Sequence, residues 1–241
     1  MRVAGNSDSL PAVRTGLRSK TRRVTMRSLT EKYKPTKLSA FAGLKMARAI
    51  MGKLTAGPWE SAWLLVGAPG TGKTTLAMAV AAELNAELHH VPSSQCDKAA
   101  VERLVYDCNF VPMHGSGWHV VVVDEGDMMT VAAQNAFLSV LDGSGHFPKQ
   151  TIFFFTCNGT KKLEARFTSR CKVIEFDGKV DAGEAGSFLY DVWFAEAPAW
   201  ATAPLMHKIL ADANGNIREA LNLIEMELLM LPAADPKRRV A

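Results

Sequence analysis

The chain has 241 residues, 48% hydrophobic and 22% charged, a balance that builds a real core and excludes a disordered, collagenous or disulfide-scaffold protein. No apolar run reaches the ~18 residues needed to cross a bilayer. The net charge of +4 sits at one end: residues 1–28 carry seven Arg and Lys against one acid, Asp8, so the remainder is net negative and its charge gives no reason to expect nucleic-acid binding.

Residues 1–28 are rich in Arg, Ser, Thr and Gly and show no period, as expected of a disordered leader. Three readings fit them: an organelle transit peptide, a nucleic-acid-binding arm, or an upstream extension from a mis-assigned start. The last is preferred, with Met26 as the natural start, because Met26 directly precedes the first organised segment. There is no apolar signal-peptide core, so the expected location is cytoplasmic, with association with the nucleoid open.

Beyond the leader, apolar runs alternate with helical patterns. Ala62–Val66, Glu87–Val91, His119–Val123, Thr151–Thr156 and Lys172–Phe176 read as strands, and Lys73–Leu84, Asp97–Cys108 and Val131–Leu141 as the helices between them. This alternation predicts an α/β unit, a parallel sheet layered between helices. Trp63–Val66 and Val120–Val123 are apolar at every position, as in strands buried on both faces. From Asp181 onward only helices are expected, near Glu184–Glu196, Ala203–Ala213 and Ile217–Leu231. In the last, Ile217, Leu221, Ile224 and Leu228 share a face, and Asn216 with Glu219 three residues on is a capping start. The expected organisation is a leader (1–28), an α/β unit (29–178), a glycine-bearing hinge at Asp177–Gly183 and a small all-helical lid (179–241).

The four cysteines, Cys96, Cys108, Cys157 and Cys171, lack close metal-ligand spacing. Cys157 and Cys171 fall in apolar, strand-like runs, and all four are expected to be reduced thiols. His89 and His90 would point to opposite sides of a strand, so no metal site built from protein ligands is expected.

Between the first strand and an Ala-rich helix, Gly67-Ala68-Pro69-Gly70-Thr71-Gly72-Lys73-Thr74 matches G-x-x-x-x-G-K-[ST] in full, followed by Thr75. Strand–loop–helix is the context that makes this pattern a phosphate-binding P-loop. Glycines let backbone N–H groups converge on phosphate oxygens, and the helix N-terminus adds partial positive charge. Lys73 would reach the β- and γ-phosphates, and the Thr74 hydroxyl would complete a Mg²⁺ shell. Further on, Val120–Val123 runs into Asp124 and Glu125. Asp124 at the strand's C-terminal edge would hold Mg²⁺ through its water shell, and Glu125 would polarise an attacking water. The strand Thr151–Thr156 leads to Asn158, a polar residue placed to orient that water or sense the γ-phosphate.

With these motifs in hand, the chain resembles the AAA+ ATPases, a P-loop NTPase fold with a helical lid. Within them it is most similar to the clamp-loader group, the small subunits of replication factor C and their bacterial and phage counterparts. The resemblance rests on the P-loop, Asp124-Glu125-Gly126-Asp127, Asn158 and Ser169-Arg170-Cys171, together with Glu31-Lys32-Tyr33-Lys34-Pro35 ahead of Phe41-Ala42-Gly43 and Asn214–Asn222. It covers residues 29–230 in the family's motif order. It implies that Tyr33, Pro35 and Gly43 flank the adenine and that Asn158 is sensor 1. Arg170 would be an arginine finger entering a neighbouring subunit's site, with Arg166 as a competitor, and Arg218 would be sensor 2. The implied function is Mg²⁺-dependent ATP hydrolysis by a homo- or hetero-oligomer with shared sites, acting with a sliding clamp and primed DNA in replication or repair. Remodelling of another protein client, mobile-element DNA targeting and a non-hydrolysing ATP-binding assembly subunit stay open as alternatives. Departures from the family are the missing basic pair near Leu138-Ser139, the missing zinc module of the bacterial motor subunit, and Gly126 in place of alanine. The family's helical collar would begin where these 241 residues end.

Overall fold

In a computed structural model of the chain, residues 28–142, 147–176, 182–198 and 203–231 are described. The leader reading falls on residues 1–27, and most of the expected hinge on 177–181, outside the described residues.

Five strands, β1 (Ser61–Gly67), β2 (Glu87–Pro92), β3 (His119–Asp124), β4 (Thr151–Cys157) and β5 (Lys172–Phe176), form one parallel sheet in the order β2-β3-β4-β1-β5. The central strands lack alternation because both their faces are covered: Val120 to Val123 and Ile152 to Phe155 are wholly buried. One face packs on α4 (Lys98–Asp107), α5 (Val131–Leu141) and the short α6 (Ala165–Thr168), through Phe137, Phe153, Phe155 and Phe167. The other packs on α2 (Lys45–Ala56) and α3 (Lys73–Glu83), through Met51, Leu76, Val80 and Phe154. These layers are the parallel sheet between helices that the strand–helix alternation predicts, in the P-loop NTPase arrangement that the resemblance implies.

All five predicted strands are present, and four extend one residue further at their C-terminal ends, to Gly67, Pro92, Asp124 and Cys157. The extra residues stand where strands give way to functional loops. The helix α2 and the one-turn helices α1 (Leu29–Lys32) and α6 were not expected. The α2 segment starts without a polar cap, from Leu44 in a left-handed conformation, and carries Gly52 inside, so its start signal is missing although Ala47, Met51 and Leu54 share a buried face. Cys171 lies one residue before β5, outside the strand as its expected bounds imply. It is buried and free, as are the other three cysteines.

After β5 the described chain is helical: α7 (Ala182–Glu196), α8 (Ala203–Asp212) and α9 (Ile217–Met230). They surround a third core of Leu189, Trp193, Ile209, Leu221 and Ile224. Leu29 belongs to this core, although residues 29–178 were assigned to the α/β unit. The Leu29 amide donates to Glu225 (3.2 Å), and Glu196 of α7 accepts from Lys32 (2.6 Å) and Tyr33 (2.5 Å). The first organised turn is therefore packed on the helical unit.

Candidate nucleotide site

The sheet order sets the site. β1 ends in the P-loop and β3 ends in the acidic pair, with β4 between them, so residues from all three strand ends meet at one edge. A cavity of about 470 Å³ opens there and is closed over by the N-terminal segment and α9.

Two glycines of the loop have positive φ, Gly70 at 80° and Gly72 at 93°, a region that L side chains rarely enter. A Cβ on Gly70 would also lie 2.6 Å from the Asn216 side chain. At Gly67, a Cβ would collide with the Phe176 carbonyl of β5. Close approach and turn geometry thus dictate the glycines. Lys73 is only 7% exposed and donates to the carbonyls of Gly67 (2.7 Å) and Ala68 (2.9 Å) and to Asn158 Oδ1 (3.3 Å). Burial lowers its pKa, and the nearby Arg218 adds to this against the raising effect of Cys157, Asp127 and Asp124.

Asp124 has three side-chain partners. Its Oδ1 accepts from Thr74 Oγ1 (2.5 Å) and Thr156 Oγ1 (2.7 Å), and its Oδ2 lies 3.0 Å from His90 Nε2. Burial alone would raise its pKa, but the hydrogen bonds from Thr74, Thr156 and His90 outweigh it and hold the carboxyl below the usual range. A carboxylate held toward its ionised form beside a hydroxyl is a hard oxygen set that fits Mg²⁺ with bound phosphates. Thr156 Oγ1 also accepts from the Glu125 amide (3.1 Å). Glu125 has φ 54°, a left-handed conformation rare for a non-glycine residue, imposed just past the strand end.

Tyr33, Pro35, Gly70, Thr71, Gly72, Thr74, Thr75, Asp124 and Arg218 all line the cavity, while Lys73 and Asn158 meet beneath the loop. Gly43 is not among the lining residues: its amide donates to Glu184 of α7 (2.9 Å), while Ala42 and Leu44 on either side face the cavity. Arg170 and Arg166 are not part of this chain's own cavity. Arg170 is ion-paired to Asp142 and donates to the Arg166 carbonyl (2.6 Å), and Arg166 pairs with Glu164 (3.1 Å). Two contributors, Thr156 and His90, have no site role in the sequence reading, and Asn216 is read only as a cap. Thr156 offers one signal, a hydroxyl ending an otherwise apolar strand. His90 was seen only as half of an adjacent pair. Asn216 does cap α9, accepting from the amides of Arg218 (3.0 Å) and Glu219 (3.3 Å), but its Nδ2 also donates to the Pro69 carbonyl (2.9 Å).

Comparison with known proteins agrees with this geometry. Residues 63–178 match the AAA family, the ATPase family associated with various cellular activities. Replication factor C subunit 4 of Oryza sativa is 26% identical over 203 residues, covering 81% of this chain and 59% of its own length. Replication factor C subunit 3 of Blastobotrys adeninivorans is 28% identical, covering 81% and 58%, and DNA polymerase III subunit gamma of Buchnera aphidicola is 26% identical, covering 82% and 60%. The chain spans about three fifths of the length of these relatives. Among solved structures, the Thermotoga maritima RuvB Holliday junction branch migration motor superposes with a TM-score of 0.66 at 18% identity, covering 80% of this chain and 64% of that one. The P-loop beside a strand-end carboxylate pair, the AAA match over residues 63–178 and the run of replication factor C relatives support an AAA+, clamp-loader-like protein.

Proposed function

We propose that the chain binds ATP with Mg²⁺ and hydrolyses its β–γ phosphoanhydride as one subunit of an oligomer with shared active sites. The observation that carries this reading is the pairing of Thr74 with Asp124 across the end of β4, with Glu125 pinned beside them by Thr156. Lys73 would exchange the Gly67 and Ala68 carbonyls for phosphate oxygens, and Thr74 with Asp124 would hold the ion that neutralises phosphate charge. Glu125 would take the proton of the attacking water while Asn158 orients it. Arg218 would reach the γ-phosphate from α9, so that Asn216 and Arg218 bring the lid down together.

Arg170 would act in the neighbouring subunit, which is consistent with its place outside its own chain's cavity. An arginine supplied in this way is worth about 10³–10⁵ in rate. The replication factor C and DNA polymerase III relatives favour work on DNA in replication or repair, with a sliding clamp and primed DNA as partners in a homo- or hetero-oligomer. The experiment is a pair of substitutions. Glu125→Gln should keep ATP affinity and lower turnover by about 10²–10⁴, whereas Lys73→Ala should lose ATP binding. Undiminished turnover in Glu125→Gln would remove the proposed base.

A further inference from the structure

At the opposite end of the sheet from the P-loop, three side chains with metal-ligand chemistry converge. His89 comes from the edge strand β2, His119 opens β3, and Cys108 ends α4. Their donor atoms all lie within 4.8 Å of one another, with His89 Nε2 2.9 Å from His119 Nδ1. His119 Nε2 lies 2.7 Å from the Phe110 carbonyl, which can only accept. The proton therefore sits on Nε2, and Nδ1 turns its lone pair toward His89 and Cys108. A second-partner hydrogen bond of this kind fixes tautomer and ring orientation in metal-bound histidines.

We propose that His89, Cys108 and His119 form a structural transition-metal site for which Zn²⁺ is the fitting ion. Ligand atoms of a tetrahedral Zn²⁺ bound by nitrogen and sulfur stand about 3.3–3.6 Å apart. The two histidines therefore need to separate by only about half an ångström, exchanging their mutual hydrogen bond for two bonds to the ion. The donor set is soft and selects zinc-like ions over Mg²⁺ or Ca²⁺, so it does not compete for the ion at Asp124. Glu87 and Asp107 act electrostatically on both His89 and Cys108, and their negative charge favours a cation there. Cys108 and His119 are 2% and 3% exposed, while His89 on the edge strand is half-buried and gives the ion its way in. Binding would release the Cys108 thiol proton and tie the end of α4 to the edge of the sheet.

The test is titration of the full chain, free of any affinity tag, with Co²⁺ and then Zn²⁺, read by absorption. One equivalent of Co²⁺ should produce a sulfur-to-cobalt charge-transfer band with tetrahedral d–d bands, and Zn²⁺ should abolish both. The band should be lost in Cys108→Ser and kept in Cys171→Ser. Affinity should fall at least about tenfold in His89→Gln, whose half-buried position leaves the fold intact even if Cys108→Ser does not fold. No charge-transfer band in the unaltered chain, a band that survives Cys108→Ser, or unchanged affinity in His89→Gln would each overturn the site.

Discussion

Asn216 does two things with one side chain. Its Oδ1 satisfies two orphan amides at the start of α9, and its Nδ2 donates to the Pro69 carbonyl of the P-loop. Substitution separates these roles. Asn216→Ala should cost about 1 kcal/mol of stability through the lost cap and also weaken ATP binding. Asn216→Asp keeps a capping oxygen but gives up the donor to Pro69 and brings negative charge toward the phosphates. It should therefore leave the denaturation midpoint near that of the unaltered chain while still lowering ATP affinity. Equal ATP affinity in Asn216→Asp would show that the contact with Pro69 does not help close the lid. The cap was legible in the sequence, because Asn-x-x-Glu before an apolar helical stripe is a local signal. The contact with Pro69 was not, because it joins residues far apart in the chain and nothing local encodes it.

At the scale of elements, polar residues decide how helices and segments are held. Gln134 is 1% exposed in α5, donates to the carbonyls of Met129 and Lys162 (both 3.3 Å) and accepts from the Glu164 amide (3.0 Å). It thereby fixes the loop leading to α6 and Arg170. Replacing it with Leu should cost about 1–3 kcal/mol in urea denaturation, since buried backbone groups lose their partners. Nothing in the sequence marks Gln134 as buried, because periodicity marks apolar faces and is blind to a buried amide. The first turn, α1, is held instead by Glu196. Burial would raise that carboxyl's pKa, but hydrogen bonds from Lys32 and Tyr33 and the Lys32 charge hold it below its ordinary 4.5. The same contact, after burial, pushes the Tyr33 hydroxyl up to about 12. A depressed folded pKa means stability that is fully present above pH 4.5 and is lost as pH falls through the folded value. Acid should therefore loosen α1 from α7, read as faster amide exchange at Leu29–Tyr33, and Glu196→Gln should remove that pH dependence.

For the whole molecule, the layered sheet was legible because central strands buried on both faces write uninterrupted apolar runs, and the P-loop because phosphate chemistry demands particular residues in one short stretch. The Asp124 network was legible only in part: the two acids announced themselves, while Thr156 and His90 reach Asp124 by sheet pairing, β4 and β2 being neighbours of β3. The same pairing brings His89 to His119. The proposed oligomer-level function is a further step up, since Arg170 is not among the residues lining the nucleotide cavity of its own chain. The most direct test mixes two variants that are each inactive, Glu125→Gln and Arg170→Ala, and measures ATP turnover of the assembled mixture. Shared sites predict recovery of up to about a quarter of unaltered turnover, because in a randomly mixed ring that fraction of interfaces pairs an intact Glu125 with an intact Arg170. A mixture no more active than its separate components, or an Arg170→Ala chain with full activity alone, would contradict the account.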